Sequence, residues 1–257
     1  MRKLFLAPVA LAAVAAALLS GVVFAKEGPP APSAGTVLAG DLLQPRGITI
    51  GPDGMIYVAE AGTGGDVDGP AGPEGGILHN GFTGRVSKID PGTGARTTVV
   101  DGLPSAASDQ GEAIGVADVK FIGTKLYILI THGGADWGFD DWSTGIYRLM
   151  SNGTLTLVAD IGAFNEANPT EAISSGTQGD VEPGGNPYSM IVRSGVFYVS
   201  DGNHNRLTRV TTDGGVTSVT EFPDHPVSTG IADTGSSPFY VAYLGKAPFL
   251  PEAGKVV

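Results

Sequence analysis

The chain has 257 residues, with 15 Lys and Arg against 26 Asp and Glu, 40 Gly, 18 Pro and no Cys. The missing Cys excludes a disulfide framework, a thiol nucleophile and a thiolate metal site. A net charge of −11 argues against nucleic acid and anionic membrane surfaces, and the density of Gly and Pro leaves no room for a helical bundle.

Met1-Arg2-Lys3 is a short positive segment, and Leu4 to Val23 is apolar apart from Pro8, Ser20 and Gly21. Val23-Phe24-Ala25 then ends in a small residue. Residues 1–25 therefore read as a secretory signal peptide cleaved near Ala25 and Lys26. An uncleaved anchor is the other reading, because the apolar run approaches the ~20 residues a membrane span needs. Cleavage leaves 13 basic residues against 26 acidic ones, a net charge of −13. Residues 26–35 form a Pro-rich linker, and residues 36–257 form the remaining domain. The expected location is secreted, extracellular or periplasmic, with no membrane contact after cleavage and no nucleic-acid partner.

Repeats organise that domain. Thr36 to Ala39, followed by Gly40 to Leu43, has the look of a closing strand, matching Thr98 to Leu103. Pro45 to Gly62 is an apolar strand, a Pro-Asp-Gly turn and a second strand carrying Tyr57. The same grammar returns at Gly115 to Thr131 with Tyr127, at Asn186 to Asp201 with Tyr198, and at Pro226 to Leu244 with Tyr240. Gly84 to Leu103, Gly145 to Ile161 and Asn205 to Phe222 each supply a second hairpin. Four strands per unit, repeated, is the pattern of a β-propeller blade. A β-sandwich also shows short strands, but it does not explain four copies of one grammar. The expected fold is all-β, a propeller of about four four-stranded blades with an N-terminal closing strand. Gly254 to Val257 reads as the opening of a third strand, so the last blade is incomplete and the chain is expected to be a fragment of a longer propeller.

Within a blade the strands a to d run from axis to rim. Every a–b and c–d turn is tight, while the opposite face carries the long segments Glu60–Gly84, Asp101–Gly115, Thr131–Gly145 and Asp160–Pro187, with the short Ser200–Asn205 and Phe222–Ser228. Those six segments hold 17 of the 26 acids, all four His and no Lys or Arg. One face should be strongly negative, and such a face attracts cations. Asp66, Asp68 and Glu74 in a Gly-rich loop could share oxygen ligands around Ca²⁺. Acidic loops also simply keep a chain soluble. A zinc site from His79, His132, His204 and His225 lacks ligand spacing. Asp201 to Leu207 resembles the start of a calcium loop but reads better as a b–c turn, in which Asp201 and Asn205 cap backbone N–H groups and Arg206 braces the sheet. Trp137, Phe139 and Trp142 are either a ligand platform or packing for their loop. Arg46, Asp118 and Tyr188, at the axial start of a strands, are expected to line a channel able to bind an anion or a sugar. No nucleophile elbow, zinc-protease motif or phosphate loop is present.

Val37 to Gly62, Gly72 to Asp90, Val158 to Glu166, Asn186-Pro187-Tyr188 and Tyr243 to Val256 together resemble the ScyD/ScyE family of secreted, NHL-like propellers named from scytonemin pigment clusters. Asn205-Arg206-Leu207 is similar to the NHL repeat core. The family usually has a His-Asp pair opening the second blade, where this chain has Ala117-Asp118, so a role for that His is absent. The resemblance implies an extracellular or periplasmic propeller associated with secondary metabolites or surface matter. The leading expectation is a non-enzymatic binding or scaffold propeller for a small molecule or extracellular polymer, with Ca²⁺ as a possible stabiliser. A second is a metal-dependent hydrolase or lactonase similar to gluconolactonase/SMP-30, with Glu60, Asn186 and Asp201 on the metal. A third is a quinone-dependent sugar dehydrogenase, for which the chain supplies few of the arginines required.

Overall fold

The computed structural model describes residues 35–72, 76–174, 182–223, 225–235, 238–245 and 251–257. The expected signal peptide and nearly all of the linker lie outside them. Among the described residues no helix is long and apolar enough to cross a membrane. Residues 37–257 form one compact unit.

That unit is a β-propeller of four radial sheets. The first blade is built on β1 (Pro45–Ile50), β2 (Ile56–Glu60), β4 (Ile77–Ile89) and β5 (Arg96–Ser108), with β3 (Val67–Ala71) and β6 (Ala113–Ile114) added outside the four-strand core. The second runs β7 (Val116–Ile122), β8 (Lys125–Ile130), β9 (Gly145–Leu149) and β10 (Leu155–Asp160). The third runs β11 (Pro187–Arg193), β12 (Val196–Asp201), β13 (Arg206–Val210) and β14 (Val216–Glu221). The fourth shows β15 (Ser228–Asp233), β16 (Phe239–Tyr243) and β17 (Lys255–Val256). Every pairing is antiparallel, and the inner strands pack in series, β1 on β7, β7 on β11 and β11 on β15.

The hairpin turns follow from their residues. Arg193 pairs with Val196 across Ser194-Gly195, both at positive φ, so the turn is the two-residue type whose twist matches the strands. Asp90 closes the c–d turn of the first blade by accepting from the N–H groups of Gly92 and Thr93.

Strand β8 shows why the blades stack. Its sequence KLYILI is apolar almost throughout, and successive side chains of a strand point to opposite faces. Leu126, Ile128 and Ile130 enter the core against the first blade, with Tyr57, Ala59 and Val86. Tyr127 and Leu129 enter the core against the third, with Phe197, Val199 and Met190. Fully burying each Leu or Ile contributes about 1.5–3 kcal/mol, so the second blade is the keystone. The repeated tyrosines interlock neighbours. Tyr57 meets Phe121 at 4.8 Å, Tyr127 meets Phe197 at 4.9 Å and Tyr198 meets Phe239 at 4.5 Å between ring centres. Tyr240 of the fourth blade stands 44% exposed.

Two expectations need correction. Residues 35–44 contain no strand, so the N-terminal closing strand is not formed. Asp41 and Gln44 take positive φ, which interrupts an extended run, and the Asp41 carbonyl accepts from Arg85 and Arg96 of the first blade. The segments Glu60–Gly84 and Asp101–Gly115 are also not plain loops. Strands β4 and β5 run 13 residues each and continue past the blade as an arm, with β3 and β6 at its sides. Leu78 and Ala106 on the arm pack on Phe139, with Trp137 and Trp142 beside them, and this burial explains the extra pairing.

Candidate functional site

Each inner strand opens with the same irregularity. Its first residue pairs with the end of strand b, and the register then slips: after Pro45, after Val116, after Pro187 and after Ser228. Such a bulge re-aims a side chain, and Arg46 and Tyr188 each fall at one. Arg46 and Tyr188 thus occupy equivalent places at the axial mouth on the long-connection face. The Arg46 guanidinium carbon lies 5.9 Å from the Tyr188 ring centre, and Arg46 Nη2 donates to the Ala113 carbonyl. Burial pushes the Tyr188 phenol up from its ordinary value, against the pull of Arg46.

Asp118 is one residue out of phase. The bulge of the second blade falls on Ala117, and Asp118 turns inward, 2% exposed. Its carboxylate accepts from Val119 N at 2.7 Å, from Met190 N of β11 at 2.8 Å and from Lys120 Nζ. A Cβ on Gly47 of β1 would collide with Asp118, so glycine is what lets β1 approach β7 there. Burial, partly offset by Lys120, raises the Asp118 carboxyl above its ordinary value. Asp118 is a bolt between three inner strands and not a channel residue.

The acids proposed for a metal are equally engaged. Glu60 is wholly buried; Oε1 accepts from Ser87, and Oε2 accepts from Leu43 N and from Arg85 Nη2 at 2.8 Å. Burial alone would raise its carboxyl, but these three donors outweigh that and hold it below its ordinary value. Asp201 Oδ1 accepts from the backbone N–H groups of Asn186, Asn203 and His204, and Oδ2 accepts from Asn165 Nδ2 at 2.9 Å. Gly185, at φ 76°, sits where any Cβ would strike the Asp201 carboxylate. Asn186 Oδ1 accepts from Thr131. The residues 201–207 therefore form the turn that the sequence favours: Asp201 caps it, Asn205 Oδ1 accepts from Val227 N, and Arg206 spans to Glu221 and the Asn168 carbonyl. Asp68 pairs with His79 at 3.4 Å, Asp66 is exposed, and Glu74 lies outside the described residues.

Glu60, Asn186 and Asp201 do not fit a cation, because every carboxylate oxygen already accepts from protein donors. No group of three or more His, Asp or Glu able to hold a metal occurs among the described residues. The histidines do not converge either. His79 lies between Asp68 and Asp109, His132 bonds Glu182, and His204 bonds the Pro183 carbonyl.

The structure offers a different recess. A cleft of about 290 Å³ opens between the short helical turn 135–137 and helix α1 (Ile161–Ala167). Its walls are Gly133, Gly134, Asp136, Trp137, Ser143, Thr144, Asp160, Glu166 and Gly184. Asp160 is occupied, capping α1 through Ala163 N and accepting from Ser143. Asp136 and Glu166 are exposed, and no Lys or Arg lines the cleft. Trp137 is held firmly. Its ring stacks on His132 at 3.7 Å and 15°, His132 Nε2 bonds the buried Glu182 at 2.9 Å, and Asn80 binds the Trp137 carbonyl. Phe139 is buried packing, with Trp137 and Trp142 against it, which is one of the two roles the sequence left open. The His132–Glu182 pair escaped the sequence reading because its members lie 50 residues apart. Of the 17 acids counted toward a negative face, Glu60, Glu182 and Asp201 are buried, whereas Asp66, Asp68, Asp109, Glu112, Asp136, Asp140, Asp141 and Glu166 are exposed.

No family model and no curated protein sequence matches the chain. Among solved structures it is similar to one assigned as a gluconolactonase, at TM-score 0.44 and 15% identity over 83% of this chain and 63% of that one. Virginiamycin B lyase from Staphylococcus aureus gives TM-score 0.38 and 11% identity over 83% and 84%. A glucose-dehydrogenase-type oxidoreductase from Thermus thermophilus gives 0.32 and 13% over 80% and 92%. Identities this low speak to the chain path and not to chemistry. The chain spans less than two thirds of the gluconolactonase structure.

Proposed function

We propose that the chain is a non-enzymatic binding propeller that takes a small organic cation, such as a protonated amine bearing hydroxyl groups, in the Trp137 cleft. The carrying observation is the pairing of a fixed indole with two exposed carboxylates, Asp136 and Glu166, in a recess with no basic side chain. A cation over an aromatic face gains about 0.5–2 kcal/mol, and the carboxylates add charge complementarity. The resemblance to the ScyD/ScyE family supports a secreted setting and a role with secondary metabolites or surface polymers. Metal-dependent hydrolysis is the weaker reading, since Glu60 and Asp201 are committed to internal bonds.

The test is fluorescence titration with glucosamine as probe. Saturable binding is expected, with Trp137→Ala reducing affinity by about tenfold and the exposed Asp136→Asn weakening it at an unchanged melting temperature. Binding that Trp137→Ala leaves intact would overturn the assignment. Adding Ca²⁺ or EDTA is expected to leave the melting temperature in place; a Ca²⁺-dependent rise would restore the metal reading.

A further inference from the structure

Arg46, Arg85 and Arg206 lie on strands β1, β4 and β13, and of the three only Arg46 has no carboxylate partner among the described residues. Arg85 is neutralised by Glu60 and Arg206 by Glu221, both at 2.8–2.9 Å. Arg46 is exposed and has no carboxylate partner among the described residues; its bond is to the neutral Ala113 carbonyl. Such isolation on an acidic face is unexpected, because an Arg surrounded by acids normally finds one. The register slip in β1 falls at Arg46 and Gly47, and the Arg46 guanidinium lies over the Tyr188 ring of β11, 5.9 Å from its centre. Arg46 and Tyr188 thereby place a guanidinium fork and a phenol donor together at the mouth, fixed from two different blades.

We propose that Arg46 and Tyr188 form a carboxylate-binding site at the axial mouth, distinct from the Trp137 cleft and selective for a monoanion. A guanidinium presents paired N–H donors that match a planar carboxylate, and a neutral phenol adds a third donor. Burial keeps the Tyr188 phenol protonated, and therefore a donor, at neutral pH. Selectivity comes from the exposed Glu112, which adjoins the Ala113 carbonyl that Arg46 binds; negative charge there disfavours a dianion more than a monoanion. The ligand class is a small carboxylic acid, a hydroxy acid or sugar acid among them.

The test is an NMR titration of the full ¹⁵N-labelled chain, following arginine side-chain Nε–H resonances with D-gluconate, acetate and inorganic phosphate. One arginine resonance is expected to shift saturably with gluconate and acetate and to respond more weakly to phosphate. Arg46→Gln should abolish the response at an unchanged melting temperature, since the side chain is exposed. Tyr188→Phe keeps the ring beneath the guanidinium and should weaken binding by about tenfold through loss of one donor to a charged group. The proposal is overturned if no arginine resonance saturates, if Arg46→Gln still responds, or if phosphate binds as tightly as the carboxylates.

Discussion

The first and third blades meet one problem with two different contacts. In each, strand b ends in a buried acid and strand c sets an arginine opposite it, Arg85 across from Glu60 and Arg206 across from Asp201. Glu60 is long enough to take its arginine directly. Asp201 is one carbon shorter; it gathers three backbone N–H groups and Asn165, while Arg206 turns away to Glu221 and Asn168. The b–c connections explain the choice. The third blade turns in the four residues 202–205, whose N–H groups need an acceptor, whereas the first sends out an arm whose base is locked by an ion pair. Both acids fasten their blades.

That comparison breaks most directly by removing each acid. Asp201→Ala strands four buried donors at once and should cost about 4 kcal/mol in urea unfolding. Glu60→Ala should cost about 3 kcal/mol, less because the Arg85 side chain is 19% exposed and gains water. A larger loss for Glu60→Ala than for Asp201→Ala would show that the ion pair, not the sealed turn, is the stronger fastening. Acid sharpens the same contrast. Glu60 sits below its ordinary value of 4.5, so its contribution is present above that pH and lost as pH falls through the folded value. In Glu60→Gln that part of the acid transition should disappear.

Much of the architecture was legible because it is written locally. Period-two apolar runs, Gly-Asp turns and a tyrosine recurring on each strand b are properties of neighbouring residues, and they predicted the blades, though not that the tyrosine rings would meet the next blade. What failed depended on distance or on register. Acids at strand ends looked like free ligands because the sequence does not show Leu43 N, Ser87 or Asn165 arriving to occupy them. Asp118 was expected to line a channel with Arg46 and Tyr188, but Val119 N, Met190 N and Lys120 arrive to occupy its carboxylate. The arm was read as loop because its Gly and Pro content hides strands that form only when Leu78 and Ala106 find Phe139. The Trp137 platform depends on His132 and Glu182, which the chain brings together from different blades.

The smallest expected effect concerns the arm that only the first blade carries. His79 on β4 pairs with Asp68 of β3 at 3.4 Å and bonds Asp109, at the end of β5, at 2.9 Å. The bond to Asp109, with Asp68 adding to it, raises the His79 ring above its ordinary value of 6.5. A raised histidine stabilises the fold fully below the unfolded value, and the contribution is lost as pH rises through the folded one. The arm should therefore be tighter at pH 5.5 than at pH 8, by a modest amount because these groups are solvated and screened by salt. Hydrogen exchange at residues 67–71, corrected for the intrinsic rate, should show protection falling several-fold over that range. In His79→Gln the profile should be flat. The turn at 202–205 contains no comparable clasp and serves as the internal reference. Equal protection of the arm at both pH values would mean that Leu78, Ala106 and Phe139 hold it without help from His79.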